Sequence, residues 1–383
     1  MSSTFDSDPV MLHYSKWIYP APIMDLSDPK ILDSWDSGDP SRLGLAYWPN
    51  LSNYKDDISI LVAGCGTNAA ARYAFRNRKA SVIGIDISSK SLDHEKYLME
   101  KHDLKNLVLY QVRIEDVESL KKEFDFIDCS GVLHHLSDPV LGLKALRNVL
   151  TKNGVVYLML YGKYGRAGIY LFQELFRLMG LEQDSDGLMM AKEALRLVKD
   201  EHPVKLVTLN NDDLKYDAGL VDVFLHKRDK SFSVDGCLDV VRDSGLVFQG
   251  WDDNLPYYPE GHISCDSPLF KYLQNLSDVD IWRAMELFNG NIAKHCFYVC
   301  RSDREYSSYQ IKFDDCCFLD YVPVCRKPSL SIPMNSYQLE VFKFVDGTNS
   351  IRQCLDKSMI HGKSDEVIEF ALCVNNSWTL SPI

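Results

Sequence analysis

The stretch Ile58-Ser-Ile-Leu-Val-Ala-Gly-Cys-Gly-Thr-Asn68 decides the fold of this chain, because an apolar run here passes directly into a glycine-rich turn. Such an apolar run is typical of a parallel strand that is buried on both faces. Gly64 and Gly66 allow the chain to turn sharply and to approach a ligand closely. The residues from Ala69 to Asn77 then predict a helix.

The alternation of strand and helix continues downstream of this stretch. Further strands are predicted at 81–86, 106–112, 126–130, 155–161, 246–251 and 293–301, and further helices at 89–102, 138–150 and 233–244. Asn153-Gly154 predicts a turn before the fifth strand. Strands that alternate with helices of this length predict an α/β fold with a parallel sheet and right-handed crossovers.

The rest of the chain divides into three segments around this sheet. Residues 1–57 predict an extended aromatic arm, or lid, broken by prolines; its aromatic residues are His13, Tyr14, Trp17, Tyr19, Trp35, Tyr47 and Trp48. Residues from about 166 to 230 predict a helical insertion within the main domain, 58–303. Residues 304–383 predict a small C-terminal α+β appendage.

Composition and charge restrict the environment and the partners of the chain. The 383 residues are 46% hydrophobic and 25% charged, which is typical of a folded soluble protein. The formal net charge of −12 disfavours nucleic acid as a partner. The N-terminus lacks a secretory signal and no apolar run is long enough to span a bilayer, so we expect a cytoplasmic protein without a membrane partner.

The cysteine pattern does not favour a metal centre. The chain has 11 cysteines, and the tightest group is His295, Cys296, Cys300, Cys316, Cys317 and Cys325. The paired CxxC spacing of zinc sites is absent from this group, so we expect no metal and interpret Cys296 and Cys300 as buried in a strand. The pairs Asp212-Asp213 and Asp252-Asp253 are interpreted as solvated loop ends, with a bound cation as the alternative.

Two further motifs point to a nucleoside site. Asp86 ends the second strand about 20 residues after the glycines, where a carboxylate can accept hydrogen bonds from both hydroxyls of a ribose. The alternative is that Asp86 only caps the following helix. The stretch Cys129-Ser-Gly-Val-Leu-His-His-Leu-Ser-Asp-Pro139 ends the fourth strand, and its residues therefore reach the same edge of the sheet.

Taken together, the motifs at 61–68, 83–87, 129–139 and 146–154 resemble those of class I S-adenosylmethionine (SAM)-dependent methyltransferases. The resemblance covers residues 58–162 and continues less closely to about 303. It implies a Rossmann-like, seven-stranded, mostly parallel sheet with helices on both faces. It also implies an enzyme that uses SAM as cofactor and releases S-adenosylhomocysteine (SAH).

The resemblance also assigns cofactor-binding residues. It places Ala63, Gly64, Cys65, Gly66 and Asn68 at the methionine part, Asp86 at the ribose, Ile87, Ile114 and Glu115 at the adenine, and Cys129, Ser130 and His134 near the sulfonium. Three positions depart from the family pattern: Val62 replaces an acid, Asn68 replaces the third glycine, and Arg113 stands where many relatives carry an acid. Asn tolerates the left-handed conformation, so the turn can be kept with Asn68.

Candidate catalytic residues follow from the ends of the fourth and fifth strands. Methyl transfer depends mainly on alignment and exclusion of water, and a general base is needed only when the nucleophile arrives protonated. The candidates are His134, Tyr161 and Tyr164, with packing and capping as the alternative role of the histidine. Lys163 and Arg166 are candidates for binding a carboxylate.

The leading hypothesis is therefore methylation of an O, N or S nucleophile of a small molecule. A protein or peptide methyltransferase is the second hypothesis, in which residues 304–383 recognise the partner chain. A non-catalytic SAM-binding protein is the third, favoured by Val62 and Asn68. A dinucleotide-dependent oxidoreductase conflicts with the missing third glycine and with the Leu-His-His-Leu sequence. The sequence also allows a homodimer.

Overall fold

The structure, a computed structural model, describes residues 8–33, 38–40, 47–48, 56–208, 211–259, 262–264, 267–304, 322–325, 340–341, 343–346, 348–358 and 378–381. Trp35, Cys316 and Cys317, which entered the predictions above, lie outside these residues.

Seven strands form one sheet. They are β1 (Ser59–Ala63), β2 (Ser81–Asp86), β3 (Leu107–Gln111), β4 (Phe124–Ser130), β5 (Leu150–Tyr161), β6 (Leu246–Trp251) and β7 (Lys294–Arg301). Their order across the sheet is β3-β2-β1-β4-β5-β7-β6. The pairs among β1 to β5 are parallel, whereas β7 runs antiparallel to β5. The predicted seven-stranded, mostly parallel sheet is confirmed.

Helices connect and surround these strands. The α-helices are α1 (Pro9–Lys16), α2 (Pro29–Asp33), α3 (Ala69–Arg76), α4 (Ser89–Lys101), α5 (Pro139–Asn148), α6 (Ala167–Leu178), α7 (Ser185–Leu197), α8 (Pro203–Thr208), α9 (Asp217–Leu225), α10 (Val234–Ser244), α11 (Pro268–Leu273), α12 (Asp278–Asn289) and α13 (Ile351–Lys357). Short 3₁₀ helices span Ile114–Leu120, Leu133–His135, Asp212–Lys215 and Leu255–Tyr257.

Capping residues fix the ends of the helices that follow the strands. The Ser88 side chain accepts a hydrogen bond from the Ser91 amide at the start of α4, and Asp138 accepts two amide bonds at the start of α5. Gly245 ends α10 in the left-handed conformation, with φ +76°. At the start of α3, the buried carboxylate of Glu95 accepts the two amide hydrogens of Ala70 and Ala71.

Alternate residues of the central strands pack on opposite faces of the sheet. Ile60 and Val62 of β1 belong to a core cluster with buried residues of α3 and α4, such as Tyr73 and Leu98. Leu61 is equally buried but lies outside that cluster. Helices α5 and α10 pack against each other and against β5 and β7, respectively. Helices therefore cover both faces, as predicted.

The predicted turn at Asn153-Gly154 is wrong, because β5 begins at Leu150 and runs through it. Phe124 pairs with Leu150, and Phe126 pairs with Val155, so two steps along β4 oppose five steps along β5. This irregularity takes up the extra residues inside the strand. A Cβ on Gly154 would lie 2.7 Å from Leu150 Cδ1 and 3.0 Å from the Phe124 carbonyl oxygen, so glycine fits this close approach.

The helical insertion builds a core of its own. Helices α6 to α9 bury Ile169, Phe172, Phe176 and Phe224 against one another. Leu171, Leu175 and Leu178 of α6 are exposed. The buried stripe lies at Ile169, Phe172 and Phe176, because this face of the helix meets α9.

The described residues fall into two compact units. One contains residues 1–248 and 291–307, and the other contains residues 249–290 and 308–383. In the second unit, Phe270, Leu273 and Met285 of α11 and α12 form a small core. Strands β8 (Val322–Cys325) and β9 (Trp378–Ser381) form an antiparallel pair. The predicted domain boundaries at 57/58 and 303/304 stay predictions.

Within the described ranges, we find no helix whose length and hydrophobicity would let it cross a lipid bilayer.

Candidate active site

A cavity of about 360 Å³ lies where the parallel strands end. The strands β1 to β5 each contribute residues at or just beyond their carboxyl ends, and further residues come from the arm and from the insertion. The lining residues are Asp8, Val10, Met11, Tyr14, Tyr19, Pro20, Gly64, Gly66, Asp86, Ile87, Ser91, Val112, Arg113, Ile114, Glu115, Ser130, Gly131, Val132, His135, Leu136, Ser137, Met159, Tyr161 and Arg228. This edge of an open α/β sheet is where such folds bind ligands.

The glycine turn after β1 forms one wall of the cavity. Gly64 and Gly66 both have positive φ, +76° and +56°, which glycine adopts without strain. The amides of Gly64 and Cys65 both donate to the Ile85 carbonyl oxygen, at 2.8 and 3.0 Å, and this pair of bonds tightens the turn. Asn68 has φ −155°, so its tolerance of the left-handed conformation is not used.

Asp86 joins this turn to the end of β2. One carboxylate oxygen accepts the Gly66 amide hydrogen at 2.8 Å, and the other accepts the Ser88 amide hydrogen at 2.8 Å. Burial raises the pKa of Asp86, while these amide bonds act in the opposite direction. A carboxylate has about four acceptor positions, so Asp86 keeps acceptor capacity for a ligand hydroxyl beside these amide bonds. Ser88, not Asp86, is the N-cap of α4.

The opposite wall follows β3. Ile114 and Glu115 begin a 3₁₀ helix and line the cavity, together with Ile87 after β2. Arg113 also lines it, and its guanidinium forms an ion pair with Asp116 at 2.6 Å. An apolar surface between polar side chains of this kind fits a flat heterocycle.

Several predicted site residues do not line the cavity. Ala63, Cys65, Asn68 and Cys129 are buried behind its wall. Tyr164 is half-buried and lies under the ammonium of Lys163, 5.6 Å from the ring centroid.

The two histidines after β4 are placed differently, although both belong to the same 3₁₀ turn. His134 is fully buried and stacks on Tyr161, with 4.0 Å between the ring centroids. Burial holds the pKa of His134 well below its usual range. His135 lines the cavity, and its Nδ1 lies 2.8 Å from the Arg228 carbonyl oxygen. A carbonyl only accepts, so Nδ1 carries the hydrogen and Nε2 keeps a basic lone pair.

The arm and the insertion meet over the cavity, which the sequence did not predict in residue detail. The Tyr14 hydroxyl of α1 donates to Asp222 of α9 at 3.1 Å, and the Tyr19 hydroxyl donates to Asp213 at 3.0 Å. These pairs are about 200 residues apart in sequence, so no local pattern could reveal them. Asp213 is thus bonded by a phenol and is not a free loop end.

Other aromatic residues of the arm lie elsewhere. Tyr47 is buried in the main core, in ring contact with Phe126 and Tyr298. The Trp48 indole donates to the Asn153 carbonyl oxygen at 2.9 Å. These two rings therefore pack against the sheet and do not line the cavity.

A buried polar cluster lies behind the tyrosines. His13, Asp222 and His226 bring one ligand atom each within 4.8 Å of one another, and His134, His135 and Asp229 do the same. Burial raises the pKa of Asp222, but the nearby His13, His226 and His135 outweigh it and hold this pKa at about 2. Asp222 is therefore ionised; it accepts a hydrogen bond from the Tyr14 hydroxyl, and His13 Nε2 lies 3.3 Å from the same oxygen.

Neither cluster has three nitrogen or oxygen atoms free to bind a metal. His226 Nδ1 accepts the Arg228 amide hydrogen at 3.0 Å, so the neutral ring carries its proton on Nε2. A protonated nitrogen cannot coordinate an ion. In the second cluster, the His135 nitrogen nearer Asp229 is the one bonded to the Arg228 carbonyl. Both nitrogens of His13 and of His134, His226 Nε2 and one Asp229 oxygen are buried without a hydrogen-bond partner among the described residues, so we interpret both clusters as packed polar groups that are only partly hydrogen-bonded.

The two predicted carboxylate-binding cations also lie away from the cavity. Arg166 is buried, with its guanidinium 3.6 Å from the Tyr161 ring centroid and 3.6 Å from Asp229. Lys163 is exposed. Arg228 is instead the insertion residue whose charge reaches the cavity lining.

Parts of this chain are similar to known proteins. A methyltransferase-domain family profile matches residues 54–200. A protein of Synechococcus sp. is 29% identical over 255 residues, 63% of this chain and 60% of the relative. A ubiquinone biosynthesis O-methyltransferase of Neisseria meningitidis is 26% identical over 29% of this chain and 48% of its own length. A tRNA U34 carboxymethyltransferase of Campylobacter hominis is 37% identical over 20% of this chain and 27% of its own length.

The alignments thus span less than two thirds of these relatives. Among solved structures, PKMT2 from Rickettsia typhi in complex with AdoHcy aligns with 85% of this chain and 71% of its own, with a TM-score of 0.62 and 15% identity. At that identity, the likeness concerns the fold alone. The family profile on residues 54–200, the strand order and the motifs at the cavity agree, and this part of the chain is a methyltransferase domain, consistent with the resemblance to class I SAM-dependent methyltransferases.

Proposed function

We propose that this chain transfers a methyl group from SAM to an O, N or S nucleophile of a small molecule and releases SAH. The observation that carries the proposal is a single cavity with two kinds of lining. One part has the Asp86 carboxylate beside the glycine turn, and the other has His135, Tyr161 and the arm residues Tyr14 and Tyr19. The first group fits a nucleoside, and the second fits a compact acceptor.

The residues that would hold the cofactor are those at the strand ends. Asp86 has free lone pairs for the ribose hydroxyls, and the backbone at Gly64 and Gly66 leaves room for the methionine part. Ile87, Ile114 and Glu115 would contact the adenine. When bound, SAM supplies a methyl group on a positively charged sulfur. Ala63, Cys65, Asn68 and Cys129 would support this site from behind the wall.

In this proposal His135 is the general base, and His134 holds Tyr161 in place. The His135 Nε2 has its lone pair available because Nδ1 donates to the Arg228 carbonyl. It would take the proton of a hydroxyl as the new bond forms, or the proton of an ammonium group before the resulting amine attacks. Tyr161 stands between His134 and the Arg166 guanidinium, and this stacking fixes its ring at the cavity wall.

The residues that the arm contributes to the cavity favour a small acceptor. Met11, Tyr14 and Tyr19 line the cavity, and Tyr14 and Tyr19 are held by buried or half-buried carboxylates of the insertion. Contacts on this side exclude water, which favours methyl transfer over hydrolysis. A protein substrate would have to insert one side chain beneath α1.

The test has two stages. Calorimetry with SAH measures cofactor binding, and incubation with SAM and a cell-extract metabolite fraction follows, with mass spectrometry for a product heavier by about 14 daltons, because a methyl group replaces one hydrogen. Failure to bind SAH would contradict the proposal. Binding without any turnover would favour a non-catalytic protein, and methylation confined to the protein fraction would favour a protein methyltransferase.

A further inference from the structure

We propose that the methyl acceptor carries an oxyanion, a carboxylate or a phosphate, which Arg228 binds in exchange for Asp8. This inference rests on the proposed function, because it concerns the acceptor end of the same cavity. It depends on three features of Arg228: its long ion pair with Asp8, the hydrogen bonds that hold its backbone, and its position on the arm side of the cavity.

The ion pair between Arg228 and Asp8 is long. Both terminal guanidinium nitrogens approach the same Asp8 oxygen, at 3.4 and 3.5 Å. Charge-assisted bonds of this type are usually 2.7–2.9 Å, and a bidentate carboxylate would use both of its oxygens. The other Asp8 oxygen is occupied, because it accepts the Val10 amide hydrogen at 2.7 Å. Asp8 therefore uses only part of the hydrogen-bonding capacity of the guanidinium, and an incoming oxyanion can form the better ion pair.

The backbone of Arg228 is held firmly on both sides. Its carbonyl oxygen accepts from His135 Nδ1 at 2.8 Å, and its amide donates to His226 Nδ1 at 3.0 Å. The same residue thus orients the proposed base through its carbonyl group and carries the guanidinium. An acceptor anchored through its oxyanion at Arg228 would present its nucleophile at a fixed distance from His135, as alignment requires.

The charges around the cavity leave this role to Arg228. Among the lining residues in the described ranges, the cations are Arg113 and Arg228. Arg113 lies beyond β3, on the proposed adenine side, in an ion pair with Asp116. Arg228 lies on the arm side with Tyr14 and Met11, and its side chain is only 24% exposed. A partly buried guanidinium in a cavity that tyrosine rings also line is a good site for an aromatic or aliphatic acid.

The exchange also has a consequence for α1. Asp8 is the N-cap of this helix, and the helix carries Met11 and Tyr14 over the cavity. Competition between Asp8 and the acceptor predicts that removing the Asp8 charge strengthens oxyanion binding. Asp8→Asn is suited to this test because Asn caps helices as well as Asp does.

The experiment uses fluorine NMR titrations of the full chain saturated with SAH. The probes share one ring and differ in the head group: 4-fluorobenzoate, 4-fluorophenyl phosphate and 4-fluorobenzylamine. We expect an oxyanion probe to bind more tightly than the amine, Arg228→Gln to weaken it about tenfold or more, and Asp8→Asn to strengthen it several-fold. Arg228→Lys should retain part of the affinity, because it keeps the charge without the fork.

The relative affinities of benzoate and phosphate identify which oxyanion the site prefers. Equal oxyanion binding by wild type and Arg228→Gln, no gain in Asp8→Asn, or preference for the amine would each overturn the inference. SAH calorimetry on every variant distinguishes failure of this inference from failure of the proposed function. Intact SAH binding with failed oxyanion binding refutes only this inference, whereas absent SAH binding in the wild type refutes the proposed function.

Discussion

Replacing Asp86 by alanine is the most direct test of the nucleoside site. The substitution removes a buried carboxylate that accepts the Gly66 and Ser88 amides at 2.8 Å and faces the cavity. A hydrogen bond to a charged group contributes about 1.5–3 kcal/mol. Loss of one effective ribose bond of that strength lowers SAH affinity roughly 10- to 150-fold, at about 1.4 kcal/mol for each factor of ten.

The assay is calorimetric titration of SAH into wild type and Asp86→Ala at equal ionic strength. Ser88→Ala is the matched control, because it removes the N-cap bond of α4 at 3.2 Å and leaves the carboxylate in place. We expect that control to lose some thermal stability, about 1 kcal/mol, and to bind SAH like the wild type.

The pH dependence gives a second, independent reading of the same group. Burial raises the pKa of Asp86, so protonation in the folded protein begins at a higher pH than the usual value of about 3.9. A protonated carboxyl accepts hydroxyl bonds poorly, so SAH affinity should fall as pH decreases through this raised pKa. Unchanged SAH affinity in a folded Asp86→Ala protein would refute the ribose assignment.

Three further predictions concern groups around the cavity. His135→Gln should lower kcat about 10²- to 10⁴-fold with SAH affinity unchanged, measured on any acceptor found; unaltered kcat would exclude it as the base. The pKa of Glu95 is raised to about 8, chiefly by burial, so its contribution to stability is complete below the unfolded pKa and is lost as pH rises through about 8. Glu95→Gln should flatten that decline in thermal-unfolding midpoints from pH 5 to 9, and an identical decline would contradict it. Asp222→Asn should cost about 1–3 kcal/mol and speed proteolysis of the arm, because His13 and Tyr14 lose their ionised partner; unchanged cleavage rates would argue against that anchoring role.

The placement of the strand-end residues at one cavity could be predicted because it depends on local pattern and topology. Gly64 and Gly66 follow one buried strand, and Asp86 ends the next. Parallel neighbours bring their carboxyl ends to one edge, so their proximity follows once both strands are identified. The same logic placed Ile114 and Ser130 at the cavity.

The acceptor side could not be predicted in the same way. His134 and His135 are consecutive and buried in a 3₁₀ turn, and only tertiary packing decides which ring stacks on Tyr161 and which ring lines the cavity. Tyr14 of α1 and Arg228 of the loop after α9 make contacts with residues far away in sequence, Asp222 and Asp8, respectively. Periodicity describes single elements, and it carries no information about which helix of an insertion meets which segment of an arm.

The hydrogen bonds between the arm and the insertion have a consequence for how homologues of this chain diverge. The Tyr14 hydroxyl donates to Asp222, and the Tyr19 hydroxyl donates to Asp213. Replacing one residue of either pair therefore leaves the other without this hydrogen bond, unless both residues change together. Homologues with a different acceptor should therefore show correlated replacements at positions 13, 14 and 19 with positions 213 and 222. Grafting the insertion of one homologue onto another would succeed only when the matching N-terminal segment is transplanted with it.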